Sequence, residues 1–478
     1  MHGAETAVVT LYYVILLVLS VYSVHRLHLV RLRRRTPPPA RVTANVWPSL
    51  TIQLPLYNEP NVAARLLDAV AAIEYPGALD IQVLDDSTDE TPALVAARVD
   101  VWRARGVAIA HLRRGSRDGY KASALAFGMQ RSAAELFAVF DADFVPPRDV
   151  LLRMVPYFAD ARVGMVQARW THLNREHSLL TRVQALFLDA HFAVESAARN
   201  FGGRFFNFNG TAGVWRRAAI EEAGGWSSST LTEDLDLSYR AQMKGWSFVF
   251  LPDVEVPAEL PSQLHGFQQQ QHRWTKGSIQ TARKLLGALV RGDFDIRIKC
   301  EALFHLTNNS AYLLTVLLAL LVVPAQQIRV RHGLGWSIAI DLALFALSSG
   351  SVLLFYREGQ RWARRPPPRL RELLAVLPVG IGMSMRNAAA VIEGLVQRGG
   401  AFHRTPKRGD AAVARTERAT RIPWNELALT LFFAGVIAVS ASAGRWASLP
   451  FPTLFASVFG RVATTGLHEH LTHSRSGA

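Results

Sequence analysis

Hydrophobic positions along the chain change their spacing twice and so separate three stretches. Residues 7–24 (AVVTLYYVILLVLSVYSV) carry no charge and are about long enough to cross a bilayer as a helix. From residue 47 to about residue 250, short β-rich runs such as SLTIQLP, DIQVLDD and ELFAVFDAD alternate with helical patterns such as NVAARLLDAVAAI. Strands that alternate with helices predict a mostly parallel, doubly wound sheet. After residue 291 the chain again has the pattern of a membrane protein.

The last stretch contains three uncharged or nearly uncharged runs, at residues 306–328, 334–356 and 427–443, whose lengths allow spanning helices. The run at 373–385 is too short to span, and strongly basic segments flank it on both sides. We therefore expect an interfacial or re-entrant helix on the cytoplasmic side there. The run at 446–467 is interrupted by an arginine, and the sequence leaves open whether it crosses the membrane.

These patterns predict six segments along the chain. They are an N-terminal membrane anchor (1–30), an α/β domain (45–260), interfacial helices (261–300), two transmembrane helices (301–360), a basic cytoplasmic segment with an interfacial helix (361–423) and one or two C-terminal transmembrane helices (424–468). Asp341 lies in one predicted spanning helix, where an ionisable side chain indicates a functional role, and the sequence leaves open whether it lines a pore or lies near the interface. No partner for it can be named from the sequence.

The distribution of charge predicts how the chain lies in the membrane. Half of the 478 residues are hydrophobic and the formal net charge is +15, a combination that suits a membrane protein or a nucleic-acid binder. Lysines and arginines concentrate in loops beside membrane segments, as in HRLHLVRLRRRTPPP after the first run. Such loops stay in the cytoplasm. We therefore predict an integral protein of an inner, plasma-type membrane, with its N-terminus outside, its α/β domain in the cytoplasm and no nucleic-acid partner.

Pairs of aspartates follow two of the predicted strands. Asp85 and Asp86 end one strand, and Asp141 and Asp143 end another. Ligands of doubly wound sheets bind beyond the carboxyl ends of the strands. Asp141 and Asp143 can both reach one hard cation, Mg²⁺ or Mn²⁺, which would neutralise a diphosphate leaving group. The alternatives are a solvated acidic turn for the second pair and, for DDSTDE, a turn held by its own side chains.

A third acidic pair begins a predicted helix at residues 231–246 (LTEDLDLSYRAQMKGW), where Glu233 and Asp234 fall in the first turn. Acidic residues at a helix N-terminus are favoured by the helix dipole whatever their role. The functional interpretation is that Asp234 accepts a proton from an attacking hydroxyl group.

The stretch QQQQHRW combines polar and aromatic chemistry on one helix face. Gln270, Arg273 and Trp274 have the spacing i, i+3, i+4 and therefore share that face. An amide, a guanidinium and a large ring together suit hydrogen bonding, diphosphate binding and sugar stacking. The alternative is an amphipathic helix that lies on the membrane with its tryptophan at the interface.

Seven motifs in fixed order carry a resemblance to a known family. LYNE, LDDSTDET, GYKASAL, FDADF, FNGTAGVWR, TEDLDLSYRA and QQHRW, flanked by membrane helices, resemble the processive family 2 glycosyltransferases. Within these the chain is most similar to the cellulose synthase-like group that makes β-1,4-mannan or glucan backbones. The resemblance is strong from about residue 45 to about residue 300. It implies an α/β domain of the GT-A fold, a GDP-mannose or UDP-glucose donor, a growing β-glycan acceptor and Mg²⁺ or Mn²⁺.

The resemblance also implies roles for single residues. Nucleotide-sugar binding would fall to Tyr57, Glu59, Asp85, Asp86, Lys121, Asp141, Gln270 and Arg273. Metal binding would fall to Asp141 and Asp143, catalysis to Asp234 as general base with Glu233 beside it, and acceptor binding to Trp274, Asn209, Gly210 and Thr211.

The segment FHRTPK, residues 402–407, resembles the gating loop that related cellulose synthases place over the bound donor. Phe402, Thr405 and Lys407 match its pattern, whereas Arg404 and Pro406 depart from the cellulose synthase version. The alternative is a solvated basic loop.

The function that this resemblance implies is that of an inverting, metal-dependent polymerase that transfers a hexose onto a β-glycan at the cytoplasmic face and passes the product through its helices. The rival prediction from the same family is a non-processive enzyme that glycosylates a membrane lipid. A third is a non-catalytic membrane protein that kept a nucleotide-sugar fold. The sequence does not indicate the oligomeric state.

Overall fold

A computed structural model describes the protein. The described residues are 3–43, 46–400, 407, 409, 423–442, 444, 446 and 449–475, with side chains described as far as residue 467. Phe402 and Thr405 of the predicted gating loop lie outside this part of the chain. The described residues form one α/β domain and a group of long helices packed beside it.

The α/β domain is built on a mixed sheet. Its strands are β1 (Leu50–Leu56), β2 (Leu79–Asp85), β3 (Ile109–Arg113), β4 (Leu136–Val139), β5 (Val163–His172), β6 (Gly213–Arg216) and β7 (Ser247–Ala258), in the order β3-β2-β1-β4-β6-β5-β7. Strands β1 to β4 pair in parallel, as the alternating pattern predicts, and β5 pairs in parallel with β7. Strand β6 runs antiparallel between β4 and β5, which the pattern did not predict.

Helices cover both faces of the sheet. They are α2 (Ala63–Ala71), α3 (Thr91–Ala104), α4 (Tyr120–Met129), α5 (Val150–Met154), α6 (Leu179–Ala190), α7 (Ala197–Phe201), α8 (Arg217–Glu222) and α9 (Glu233–Met243). Helix α2 shows why these segments fold as helices, because Ala63, Leu66, Leu67 and Val70 recur at helical spacing and are all buried against the sheet. A π-helical turn, His191–Ser196, joins α6 to α7.

Among the described residues, four of the remaining helices are long and apolar enough to cross a membrane. They are α1 (Gly3–Arg35), α12 (Ser310–Arg331), α13 (Ile338–Trp362, continued at its start by a 3₁₀ turn from Gly335) and α16 (Trp424–Ser442). Each overlaps one of the uncharged runs predicted to span. The other long helices are α10 (Leu264–Arg291), α11 (Ile296–Thr307), α14 (Leu370–Gly382), α15 (Ser384–Val396) and α17 (Pro450–Arg475). Helices α14 and α15 meet at a bend of 46°, a geometry that suits a broken span or a re-entrant segment.

The structure shows which side chain pairs with Asp341. Arg329 of α12 holds the Asp341 carboxylate through two hydrogen bonds of 3.1 and 2.7 Å, and both side chains are buried. Arg329 also donates to the Tyr13 hydroxyl of α1 at 2.5 Å. A paired charge inside a membrane segment costs much less than an isolated one. This polar cluster therefore links α1, α12 and α13.

Candidate active site

One cleft at the carboxyl ends of the parallel strands brings together most of the residues predicted from the sequence. Those that line it are Tyr57, Glu59, Asp86, Lys121, Asp141, Asp143, Asn209, Gly210, Glu233, Asp234, Gln270, Arg273, Trp274 and Lys407. The cleft opens where β1, β2 and β4 end, the position at which doubly wound sheets bind ligands.

Two predicted residues lie behind the cleft surface instead. The buried Asp85 carboxylate accepts a hydrogen bond from the Ser87 amide and pairs with His111, at 2.9 Å each. Burial alone would raise the pKa of Asp85, but these hydrogen bonds hold that pKa below its ordinary value. The Thr211 hydroxyl accepts from the Asp141 amide at 2.8 Å. Both residues thus support the wall of the cleft, and Asp86 lines it.

The first wall of the cleft consists of three aspartates, each of which pairs with an arginine or a lysine. We call Asp86, Asp141 and Asp143 the strand-end wall, because each follows the end of a strand. Three ion pairs cover it: Asp86 with Arg114 (Nε–Oδ1 2.9 Å), Asp141 with Lys121 (2.5 Å) and Asp143 with Lys407 (2.6 Å). The wall therefore offers both anionic ligands for a metal and cationic groups for phosphate oxygens.

Lys121 connects this wall to the loop before β6. Its ammonium group donates to the Gly210 carbonyl at 2.8 Å as well as to Asp141. Gly210 has a φ of +83°, and a β carbon there would lie 3.0 Å from Oδ2 of Asp234. Only glycine meets both demands at this position without strain or crowding. The loop thus fixes how closely the backbone approaches Asp234.

The second wall contains Asp234, the residue predicted to act as the general base. We call Glu233 and Asp234 the helix wall, because they begin α9. Oδ1 of Asp234 accepts a hydrogen bond from the Leu235 amide at 2.8 Å. Within the part of the chain that the structure describes, neither carboxylate forms an ion pair with a cationic side chain. Burial, followed by the charge of Glu233, raises the pKa of Asp234 to about 7.

Helix α10 presents the third group of predicted residues. Gln270, Arg273 and Trp274 lie on the side of α10 that lines the cleft. One turn later, Gly277 packs so closely that a β carbon would lie 2.8 Å from the Thr232 backbone nitrogen, directly before the helix wall. The contact between Gly277 and Thr232 therefore sets the distance between the α10 residues and Asp234.

Two residues that contact the strand-end wall or its cations were not among the predicted site residues. Arg114 holds Asp86, and the Glu259 backbone carbonyl accepts from the Lys407 ammonium at 2.8 Å. The Glu259 carboxylate also accepts from the Gly409 amide at 3.0 Å. Glu259 directly follows β7, and this position at a strand end is the signal that could have identified it.

A further unpredicted pair supports Asn209. His191, the first residue of the π-helical turn, contacts Asn209 through Nε2 at 2.9 Å and Glu195 through Nδ1 at 3.0 Å. Turns of π-helix occur often at functional sites. No sequence motif points to this turn, because its extra residue becomes visible only in the backbone.

The donor set of the cleft fits a divalent cation that shares its ligands with a substrate. Among the described residues there is no group of three or more His, Cys, Asp or Glu side chains placed to hold a metal ion. Asp141 and Asp143 nevertheless supply two carboxylates at the cleft surface. Mg²⁺ commonly binds through one or two carboxylates, with substrate phosphates and water as the other ligands. The residues present therefore fit such an ion.

The sequence of the α/β domain is similar to that of a known protein family. Residues 48–277 match the family described as "Glycosyltransferase like family 2". This range contains the whole sheet and every cleft-lining residue except Lys407. The cleft therefore lies in a stretch of the chain that is similar to this family.

Similar proteins narrow the class to the predicted group. A glucomannan 4-beta-mannosyltransferase 1 of Oryza sativa subsp. japonica is 40% identical over 291 residues, which are 59% of this chain and 56% of the relative. Glucomannan 4-beta-mannosyltransferase 2 of Arabidopsis thaliana is 43% identical over 251 residues, 51% of this chain and 47% of the relative. The chain spans about half the length of the curated relatives it matches. These matches confirm the similarity to the cellulose synthase-like group.

A solved structure supports the fold. A mannosyltransferase from Pyrobaculum calidifontis, determined in complex with GDP-Man and Mn²⁺, superimposes with a TM-score of 0.57 at 20% identity. The match covers 81% of this chain and 99% of that protein. Together with the family match, it confirms the predicted fold class, an α/β domain of GT-A type with helices long enough to span a membrane.

Proposed function

We propose that the protein is a membrane-embedded, inverting glycosyltransferase that extends a β-1,4-linked mannan or glucomannan with mannose from GDP-mannose. The observation that carries this proposal is that Asp234 shares one cleft with the strand-end wall, Arg273 and Trp274. The cleft belongs to a domain that is 40–44% identical to glucomannan 4-beta-mannosyltransferases. A separate acid for proton transfer and a cationic site for a diphosphate are the two parts that glycosyl transfer needs.

The donor would bind along the strand-end wall. Tyr57, whose ring lies 3.3 Å from the Arg117 guanidinium carbon, and Glu59 would line the nucleobase end. Lys121 and Arg273 would contact the diphosphate oxygens, because both cations face the cleft. Mg²⁺ or Mn²⁺ bound by Asp141 and Asp143 would neutralise the charge that develops on the departing diphosphate.

The reaction would be a single displacement. The 4-hydroxyl of the acceptor sugar transfers its proton to the Asp234 carboxylate while its oxygen forms a bond to the anomeric carbon of the donor. The bond between that carbon and the diphosphate oxygen breaks, and its electron pair leaves with GDP. Attack from the opposite face inverts the α-linked donor to a β-linked product. Trp274 and Asn209 would hold the acceptor in line for this attack.

The membrane helices would place this chemistry at the cytoplasmic face. Arg33, Arg34 and Arg35 end α1, and basic residues at this position favour a cytoplasmic location. The N-terminus would then lie outside, and the growing polymer would leave the cleft between the helices. Lys407, which reaches Asp143, would cover the bound donor as part of a gating loop.

Product analysis tests the proposal directly. The full chain, purified and placed in proteoliposomes with Mn²⁺ or Mg²⁺, is supplied with GDP-mannose or with UDP-glucose. We expect release of GDP and a polymer that β-mannanase digests. A polymer made only from UDP-glucose and digested only by β-glucanase would overturn the assignment of the donor. Addition of a single sugar, and only when a lipid acceptor is present, would overturn polymer synthesis and favour the lipid glycosyltransferase.

A further inference from the structure

A second cavity, remote from the cleft, lies between α1, α11 and α13. Its volume is about 580 Å³. Leu17, Val21 and Val24 of α1 line one part of it, together with Leu344 and Leu347 of α13. These apolar side chains form a groove along the outside of two helices that are long enough to span the membrane.

The groove has an apolar part and a basic end along α1. It extends along α1 from Leu17 to His28, which at the rise of an α-helix is roughly 16 Å. The hydrocarbon core of a bilayer is about 30 Å thick. The exposed apolar positions of α1 end at Val24, and the helix is basic from His25 onward. The apolar part of the groove, from Leu17 to Val24, is therefore roughly 10 Å long, enough for the upper part of an acyl chain, and its other end lies at the level of headgroups.

Helix α11 places cationic side chains at that end. Ile296, which is 68% exposed, and Leu303, which is 47% exposed, give the helix an apolar surface, while Arg297 and Lys299 give it basic positions. A helix of this composition lies in the plane of a membrane interface. Arg297 lines the groove, and Arg204 lines it from the segment after α7.

The net charge at this end of the groove is positive. In the described part of the chain, neither Arg204 nor Arg297 forms an ion pair with an acidic side chain. The groove contains one carboxylate, Glu301, which already pairs with Arg199 and with His25 at 2.9 Å each. Glu301 therefore does not oppose the binding of an anion beside the two arginines.

We propose that this groove binds one phospholipid with an anionic headgroup. An acyl chain lies against Leu17, Val21 and Leu347, and the headgroup phosphate lies between Arg204 and Arg297. The charge of the arginines selects an anionic lipid such as phosphatidylglycerol over a neutral one such as phosphatidylethanolamine. The site is separate from the cleft, so the proposal does not depend on which sugar the protein transfers.

A double variant with two reversed charges tests whether the groove prefers an anionic lipid to a neutral one. The full chain is purified in mild detergent, and native mass spectrometry measures the ratio of bound phosphatidylglycerol to bound phosphatidylethanolamine from equimolar mixtures. Arg204→Glu with Arg297→Glu should lower this ratio roughly twentyfold or more, because each arginine near an anionic lipid contributes about fivefold in affinity. Arg105→Glu with Arg148→Glu, two exposed arginines outside the groove, makes the same change in net charge and should leave the ratio unchanged.

Two tryptophan variants test the apolar part of the groove. Val21→Trp should fill the groove and reduce bound lipid of both kinds, whereas Leu431→Trp, at an exposed position of α16, should not. Equal retention of both lipids by the wild type, or an unchanged ratio in the charge-reversal pair, would overturn the proposal and leave only adventitious lipid. A dimer that disappears in Val21→Trp would overturn it in favour of a second copy of the chain in the groove.

Discussion

The two acidic walls of the cleft differ in what surrounds their carboxylates. On the strand-end wall, Asp86, Asp141 and Asp143 each pair with an arginine or a lysine. On the helix wall, Asp234 lies beside another acid, and its pKa is raised to about 7 by burial and by Glu233. The carboxylates of the strand-end wall supply oxygen ligands of the kind that a divalent cation binds. An acid whose pKa lies near neutrality can take up and release a proton.

This difference supports separate roles for the two walls, which the sequence motifs leave open. An aspartate at the start of a helix is favoured by the helix dipole whether or not it reacts, so the position of Asp234 is not informative alone. Its surroundings are informative, because the same burial that destabilises the anion makes it a stronger base. We therefore propose that the strand-end wall binds the donor and the metal and that the helix wall transfers the proton.

Asp234→Asn should have the largest effect on activity. The amide keeps the size and most contacts of the carboxylate but cannot accept the proton, so we expect kcat to fall by about 10³-fold. Release of GDP from GDP-mannose measures the rate. Asp89→Asn, at an exposed position of the DDSTDET segment outside the cleft, serves as the control and should keep the wild-type rate. A similar loss in both variants would contradict the assignment.

Asp143→Asn should have the next largest effect, and it should appear in donor binding. The change removes one of two carboxylates for the cation and the partner of Lys407, so we expect affinity for GDP-mannose in Mn²⁺ to fall roughly tenfold or more. Calorimetric titration with GDP-mannose, with and without Mn²⁺, measures this affinity. An affinity that depends on Mn²⁺ as strongly as in the wild type would show that Asp143 is not a ligand.

Gly210→Ala should reduce kcat by roughly tenfold, because its β carbon would lie 3.0 Å from Oδ2 of Asp234 and move the carboxylate. Gly203 offers a matched control, since its φ of +67° imposes similar backbone strain but its β carbon would have no neighbour within 4 Å. Steady-state kinetics and thermal unfolding separate the two effects. Gly203→Ala should lose some stability and keep its kcat. Equal kcat values in the two variants would contradict the crowding of Asp234.

Glu233→Gln should have the smallest effect, a shift in the pH profile. Transfer requires ionised Asp234, so activity should be half-maximal near pH 7, reach its plateau at higher pH and fall as the pH decreases through the raised pKa. Removing the charge of Glu233 lowers that pKa and should move the acidic limb of kcat/KM down by up to about one pH unit. A pH series of initial rates measures the limb. A shift to higher pH would contradict the coupling.

Much of the fold and the cleft could be predicted because they depend on local pattern. Alternating strands and helices predicted the parallel strands, and strand ends located Asp86, Asp141 and Asp143. The choice between Asp85 and Asp86 needed the structure, which shows which side of β2 faces the cleft. Side chains alternate along a strand, and Asp86 shares its side of β2 with Leu84, which lines the cleft, whereas Asp85 points away.

The rest depends on contacts between residues far apart in the sequence. Lys407 meets Asp143 across 264 positions, and Arg329 reaches Tyr13 across 316. The antiparallel direction of β6 and the close approach of Gly277 to Thr232 are equally set by tertiary packing. No periodicity encodes such contacts, because each depends on how whole helices and strands are arranged.

The measurement that tests the central claim most directly is the affinity of Asp234→Asn for GDP-mannose in Mn²⁺, determined beside that of Asp143→Asn. The division of roles between the two walls predicts that Asp234→Asn binds the donor as tightly as the wild type and forms no polymer, whereas Asp143→Asn loses affinity. Loss of donor binding in Asp234→Asn to the same extent as in Asp143→Asn would contradict the assignment of proton transfer to the helix wall.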